Sequence, residues 1–182
     1  MMTICQLRKR LSERIHAADI AELCLMAQCT DGNGMKAMLF KLAGDKDRRV
    51  ASNALWVFSH FNASGRSWLQ NKQKELIDMA LSVTDVTSLR LVLTLLERQT
   101  FEAESIRTDF LDFCLCRMVS DAEPVSIRSL SMKLAYKMCL HYPELLEELR
   151  MSVDLIDKTS ADSAGLKSCR RNVLRLIDVT NR

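Results

Sequence analysis

The amino-acid sequence predicts an all-α fold of about five antiparallel helix pairs. The chain of 182 residues contains only five glycines and two prolines, and 48% of its residues are hydrophobic, so it has little room for the turns of an all-β fold. Apolar residues recur at helical spacing, and the pattern returns every 38 or 39 residues. An interval of this size is typical of two-helix repeats that stack into a solenoid.

Four aliphatic residues anchor the repeat. They follow one another at intervals of 39, 38 and 39 residues: Val50, Leu89, Ile127 and Leu166. Three, seven and eleven positions after each anchor the residues are again mostly apolar, which predicts one apolar stripe on each of four helices. Further stretches with the same periodicity lie between these helices, at 67–83, 105–118 and 143–156.

Short polar residues and prolines mark the predicted helix starts. Asp85, Ser105 and Ser163 are candidate N-caps, because their side chains can accept hydrogen bonds from the free amides of a first turn. Pro124 and Pro143 stand near helix starts, where a missing amide hydrogen costs nothing. The predicted pairs form a single domain over 1–182 and span roughly 3–28, 33–61, 66–98, 104–141 and 143–178. The first pair matches the repeat least well, as expected of an end repeat.

The second helices resemble those of HEAT and armadillo-like α-solenoid repeats. Each begins with an acidic residue followed by an aliphatic–basic pair: Asp85 before Leu89-Arg90, Glu123-Pro124 before Ile127-Arg128, and Asp162 before Leu166-Lys167. The resemblance implies a right-handed α–α superhelix. It also implies a structural ladder between neighbouring repeats, formed by Asp85, Arg90, Glu123, Arg128, Asp162 and Lys167. The second repeat has Val50-Ala51 at this position, so no ladder is expected from it.

Charge is divided unevenly between the helices, although the net charge is only +3. The predicted second helices together carry +7, whereas the last three first helices carry −3. In the family that the chain resembles, second helices line the concave, partner-binding side. This side is therefore expected to be basic, with two stripes at helical spacing: Lys133 and Lys137, and Lys167, Arg171 and Arg175.

The basic stripes have two interpretations. As solvated helix faces they carry no function, since charged residues are common on exposed helices. As a binding surface they predict an anionic partner, either an acidic protein segment or a nucleic-acid backbone.

An aromatic feature stands on the helix that follows Asp47. Ser52, Trp56 and His60 are spaced i, i+4, i+8, and Asn53 lies beside them. A partly exposed Trp56 on the concave face would anchor a partner. The alternative is packing inside the protein, which is the role expected of Trp68.

No catalytic motif stands out, so the predicted function is a non-enzymatic scaffold that binds a protein partner, without cofactor or metal. The seven cysteines include no C-x-x-C pair, and residues 31–42 begin like a calcium loop but lack its central glycine and final glutamate. The alternative is a DNA-binding protein. Some HEAT-like solenoids that remove alkylated bases resemble this chain in their basic face and tryptophan, but no acid is clearly placed beside Trp56.

The expected location is the cytoplasm. The first fifteen residues carry charges where a signal peptide needs an apolar run, and no apolar stretch approaches membrane-spanning length. No contact with a membrane is therefore expected.

Overall fold

The computed structural model describes residues 2–29, 32–159 and 163–180, and it is all-helical over these ranges. They contain eleven α-helices, a short 3-10 turn at Ala103–Ser105 and no strand. The helices are α1 Ile4–Ser12, α2 Ala17–Gln28, α3 Asn33–Ala43, α4 Arg48–Ser59, α5 Ala63–Gln70, α6 Gln73–Ser82, α7 Val86–Glu97, α8 Thr108–Val119, α9 Val125–Cys139, α10 Pro143–Thr159 and α11 Ala164–Thr180. They form two compact units, residues 1–99 and 100–182.

Two of the three predicted N-caps are present in the structure. Asp85 accepts a hydrogen bond from the amide of Ser88 (2.8 Å), and the hydroxyl of Ser163 accepts one from the amide of Leu166 (3.3 Å). Ser105 instead ends the 3-10 turn, and α8 begins only at Thr108. The helix predicted over 67–83 is divided into α5 and α6, because the backbone leaves the helical conformation at Lys72 (φ −110°, ψ 16°).

The core of unit 1 is built around α4, which packs against α1, α2, α3 and α7. Its fully buried residues are Val50, Ala54, Leu55, Val57 and Phe58. The ring of Phe58 stacks on that of Trp68, with centroids 6.1 Å apart and an interplanar angle of 8°, and Phe40 meets both rings edge-on. Trp68 is therefore a packing residue, as predicted.

The core of unit 2 is built around α9, which packs against α8, α10 and α11. The last two helices each present one buried stripe. These stripes are Leu146, Leu149, Val153 and Ile156 on α10, and Leu166, Cys169, Val173 and Ile177 on α11. Because the stripes face inwards, the opposite sides of both helices are exposed.

The predicted repeat is present in the structure. All four anchors are buried, as are nine of the twelve residues that follow them at three, seven and eleven positions. Asn53 and Leu130 are half-buried, and Thr100 is exposed. The chain is thus built from α–α repeats, and its organisation as a single domain stays a prediction.

Candidate partner-binding surfaces

The second helices of unit 1, α4 and α7, lie side by side with an open groove between them. Two depressions, of about 190 Å³ and about 510 Å³, adjoin at Ser52 and Thr87. Together they form the α4–α7 groove, which is lined by Ser12, Asp47, Arg48, Arg49, Ser52, Asn53, Trp56, Asp85, Thr87, Arg90 and Leu91. The groove therefore brings together three of the four residues predicted on α4.

Trp56 lies half-buried in the smaller of the two depressions that form the groove. The ring of His60 meets its ring edge-on, with centroids 6.1 Å apart and an interplanar angle of 66°. The Nδ1 atom of His60 is 3.0 Å from the carbonyl oxygen of Trp56 and 3.2 Å from the hydroxyl of Ser59. These contacts hold the exposed imidazole against the indole, so His60 supports the orientation of Trp56.

Asn53 stabilises the fold as well as lining the groove. Its side-chain amide donates to the carbonyl oxygens of Leu11 (2.9 Å) and Glu13 (3.4 Å), at the end of α1. The last carbonyls of a helix lack partners within the helix, and a side-chain donor satisfies them. The side-chain amide of Asn53, a residue predicted on the partner-binding face, is therefore already bonded inside the protein.

The groove contains arginines with different surroundings. Arg48 forms an ion pair with Asp85 (2.6 Å), and Arg49 approaches the carbonyl oxygen of Ser12 (3.5 Å). Arg90 is exposed, and no acidic partner is found for it within the described ranges. The groove thus offers at least one guanidinium group whose charge is not balanced by a carboxylate.

The two carboxylates of the groove take part in helix capping. Asp47 accepts from the amide of Arg49 (2.9 Å), while Asp85 accepts from the amide and hydroxyl of Ser88. Partial burial acts to raise the pKa of Asp85, but the hydrogen bonds from Ser88 and the charge of Arg48 outweigh it and hold this pKa below its usual value. Asp85 is therefore a stable carboxylate with its oxygens occupied.

A ladder contact exists in unit 1, but a different basic residue makes it. Arg48 of α4 forms an ion pair with Asp85 at the start of α7. The second repeat therefore contributes a contact between repeats, although the sequence predicted none from this repeat. Arg90, the basic residue expected in this position, is directed to the groove instead.

Two of the ladder residues predicted in unit 2 have other partners. Glu123 pairs with Arg117. Arg128 is buried, with 5% of its surface exposed; its Nε donates to the carbonyl oxygen of Met118 (3.1 Å), and its guanidinium pairs with Asp121 (2.9 Å). These bonds lie within its own helix pair, so its role between repeats stays a prediction. Asp162 lies outside the described residues.

The basic residues predicted on α9 and α11 differ in exposure, and their common surface stays a prediction. Lys133 is exposed and Lys137 half-buried on α9, whereas Lys167, Arg171 and Arg175 are all exposed on α11. For the last three, no acidic partner is found in the part of the chain that the structure describes. Their environment is best understood from the aligned positions of α9.

On α9, the positions aligned with the α11 stripe face the neighbouring helices. The residues of α9 aligned with Lys167, Arg171 and Arg175 are Arg128, Met132 and Tyr136. Arg128 and Met132 are buried, and the hydroxyl of Tyr136 is 3.2 Å from that of Thr180 on α11. On α11 this side lies opposite the buried stripe and is exposed.

The described residues offer no metal site, and two buried thiols have raised pKa values. No group of three or more His, Cys, Asp or Glu side chains is placed to hold a metal ion in these ranges. All seven cysteines are free. Burial, with a contribution from Glu148, raises the pKa of the Cys139 thiol to about 11, and burial also raises the pKa of Cys114. Both behave as small hydrophobic residues rather than nucleophiles.

No helix in the described ranges has the length and apolar character needed to cross a membrane.

Sequence reasoning missed four groove residues, Arg48, Arg49, Thr87 and Leu91. Thr87 and Leu91 belong to no motif and become groove residues only because α7 lies beside α4. Arg48 had a usable signal, because Arg8–Asp45 and Arg48–Asp85 both pair across 37 positions, close to one repeat.

Paired helices that leave their second-helix surfaces accessible define a helical-repeat protein. The family model of the HEAT repeat domain matches residues 7–177, and the chain belongs to this family. HEAT repeat domains act in general as protein-interaction scaffolds. The comparison with curated proteins gave no match.

Proposed function

We propose that this HEAT repeat protein is a non-enzymatic scaffold whose α4–α7 groove binds an extended, acidic segment of a partner protein. The proposal rests on one observation: the same groove contains the half-exposed Trp56 and Arg90. Arg90 lacks an acidic partner in the described ranges.

The groove supplies the two kinds of contact that such a segment needs. Trp56 and Leu91 offer an apolar surface for an aromatic or aliphatic side chain, and tryptophan is a frequent anchor of protein interfaces. Arg90 and Arg49 offer guanidinium groups that form charge-assisted hydrogen bonds with carboxylates. A segment with an apolar residue close to Asp or Glu would satisfy both.

The groove is also prepared for binding. The His60 ring is held by a hydrogen bond to the carbonyl oxygen of Trp56 and contacts the indole, so little side-chain freedom of Trp56 is lost when a partner arrives. The hydroxyls of Ser52 and Thr87 stand at the junction of the two depressions, where they can bond to the backbone of an extended segment.

Selection from a library of random displayed peptides tests this proposal. We expect peptides selected on the wild-type chain to be enriched in Asp or Glu near an apolar residue. Their affinity should fall at least about tenfold on Trp56→Ala and on Arg90→Glu. Lys74→Glu, the same charge change on an exposed residue of α6, is the matched control and should leave affinity unchanged. Selected peptides without acidic residues, or an affinity that neither Trp56→Ala nor Arg90→Glu lowers below that of the wild type, would refute the proposal.

Nucleic-acid binding is the second candidate, and the exposed cations Arg90, Lys133 and Arg171 favour it. Removal of an alkylated base would also need a free acid near Trp56, whereas Asp47 and Asp85 are occupied as helix caps. A mobility-shift assay with alkylated and unmodified duplexes separates the candidates. Binding that weakens steeply with salt would support this function. Absence of a shift at low salt would exclude it.

A further inference from the structure

The outward side of the α10–α11 hairpin carries opposite charges on its two helices. On α10, the exposed residues opposite the buried stripe are Glu144, Glu147, Met151 and Leu155. On α11, the corresponding exposed residues are Lys167, Arg171 and Arg175. One helix therefore presents an acidic strip with two large apolar residues, and the other a basic stripe.

These two strips lie next to each other on one face. Arg170 of α11 pairs with Asp154 of α10 (3.1 Å), and Arg150 of α10 pairs with Asp178 of α11 (3.5 Å). From Asp154 to Arg150 the pairs run back along α10, whereas from Arg170 to Asp178 they run forward along α11, so the helices lie antiparallel and side by side. Their outward sides together form the hairpin face, composed of Glu144, Glu147, Met151, Leu155, Lys167, Arg171 and Arg175.

The hairpin face is not satisfied within the described part of the chain. Glu144 and Glu147 have no basic partner there, and the three cations have no acidic one. Met151 and Leu155 are 56% and 59% exposed and lie one helical turn apart. This face therefore combines exposed apolar surface with charges that a second molecule could pair.

We propose that the hairpin face binds the same face of a second copy of the chain. A two-fold axis parallel to the helices places α10 of each copy over α11 of the other, so the basic stripe meets the acidic strip twice. Because the helices of each hairpin are antiparallel, Arg175 then lies nearest to Glu147 of the other copy, while the aliphatic parts of Arg171 and Lys167 cover Met151 and Leu155. A face of one charge would repel its copy, whereas this face is self-complementary.

Sedimentation velocity over a wide concentration range tests the proposal. We expect the wild-type chain to form a dimer at high concentration, and the dimer to weaken as salt is added. Arg171→Glu with Arg175→Glu should weaken it at least about tenfold. The matched control is Lys9→Glu with Lys74→Glu, which makes the same charge change in unit 1 and should leave dimerisation intact.

A charge exchange makes the test specific. Glu144→Lys with Glu147→Lys should also abolish the dimer, because each lysine pair would face the basic stripe of its copy. Mixing this variant with the Arg171→Glu, Arg175→Glu variant should restore a dimer of wild-type strength, since both pairings are then attractive. A wild-type chain that is monomeric at every concentration in low salt overturns the proposal. Failure of the mixture to form a heterodimer, with both variants helical by circular dichroism, overturns it as well.

Discussion

Two stripes with i, i+4, i+8 spacing, one in each unit, have different surroundings. Ser52, Trp56 and His60 on α4 stand beside α7, so two of them line a groove and the third supports the indole. Lys167, Arg171 and Arg175 on α11 lie opposite the buried stripe of their helix, on an open face. Periodicity thus indicates which residues share a side of a helix, but the neighbouring helices decide what that side meets.

The largest expected effect concerns the same aligned position in α9 and α11, held by Arg128 and Lys167. Arg128→Ala should lower the free energy of unfolding by about 2–3 kcal/mol, because the buried carbonyl of Met118 loses its donor and a cavity remains. Lys167→Ala, on the exposed face, should change it by less than about 0.5 kcal/mol. Urea unfolding followed by circular dichroism measures both changes. Equal losses of unfolding free energy would contradict the claim that this position is buried on α9 and exposed on α11.

A smaller effect is expected at the start of α7. Asp85→Ala should lower the free energy of unfolding by about 1–2 kcal/mol at neutral pH, because the cap on Ser88 and the pair with Arg48 are lost. The pKa of Asp85 is lowered in the folded state, so its stabilisation is present above the unfolded pKa of about 4 and is lost as pH falls through the folded pKa. The difference in the free energy of unfolding between Asp85→Ala and the wild type should therefore become smaller in acid. A gap that stays constant with pH would refute this account of Asp85.

The smallest expected effect is a difference in stability between substitutions at two adjacent groove residues. Asn53→Ala should cost about 1 kcal/mol, because the carbonyl oxygens of Leu11 and Glu13 lose their donor. Ser52→Ala should cost less than about 0.5 kcal/mol, since its hydroxyl bonds only the carbonyl of Arg49 within its own helix. Thermal unfolding of both variants checks this. A larger loss for Ser52→Ala would mean that the groove wall depends on the serine.

The repeat could be predicted from the sequence because burial follows the helical period. Val50, Leu89, Ile127 and Leu166 each begin an apolar stripe, and a stripe that must be buried fixes the inward side of its helix. The break at Lys72 could not be predicted, because residues 67–83 keep one helical pattern across it. There the packing of two short helices overrides the local sequence.

The candidate site could be predicted only in part. The spacing of Ser52 and Trp56 places them on one side of α4, and the structure puts both in the groove. The role of Asn53 depends on the end of α1, some forty residues away in the sequence, and that of Arg48 on Asp85 of the next repeat. Contacts of this range arise from packing, which a single-helix pattern does not contain.

Fluorescence of Trp56 tests the central proposal, binding in the α4–α7 groove, most directly. Trp68→Phe leaves Trp56 as the single tryptophan and keeps an aromatic ring stacked on Phe58. Titration of this variant with an acidic peptide selected on the wild-type chain should change the emission of Trp56 to saturation, and Arg90→Glu should remove the change. A peptide that binds without altering the emission of Trp56, and equally well after Arg90→Glu, would show that its site lies elsewhere.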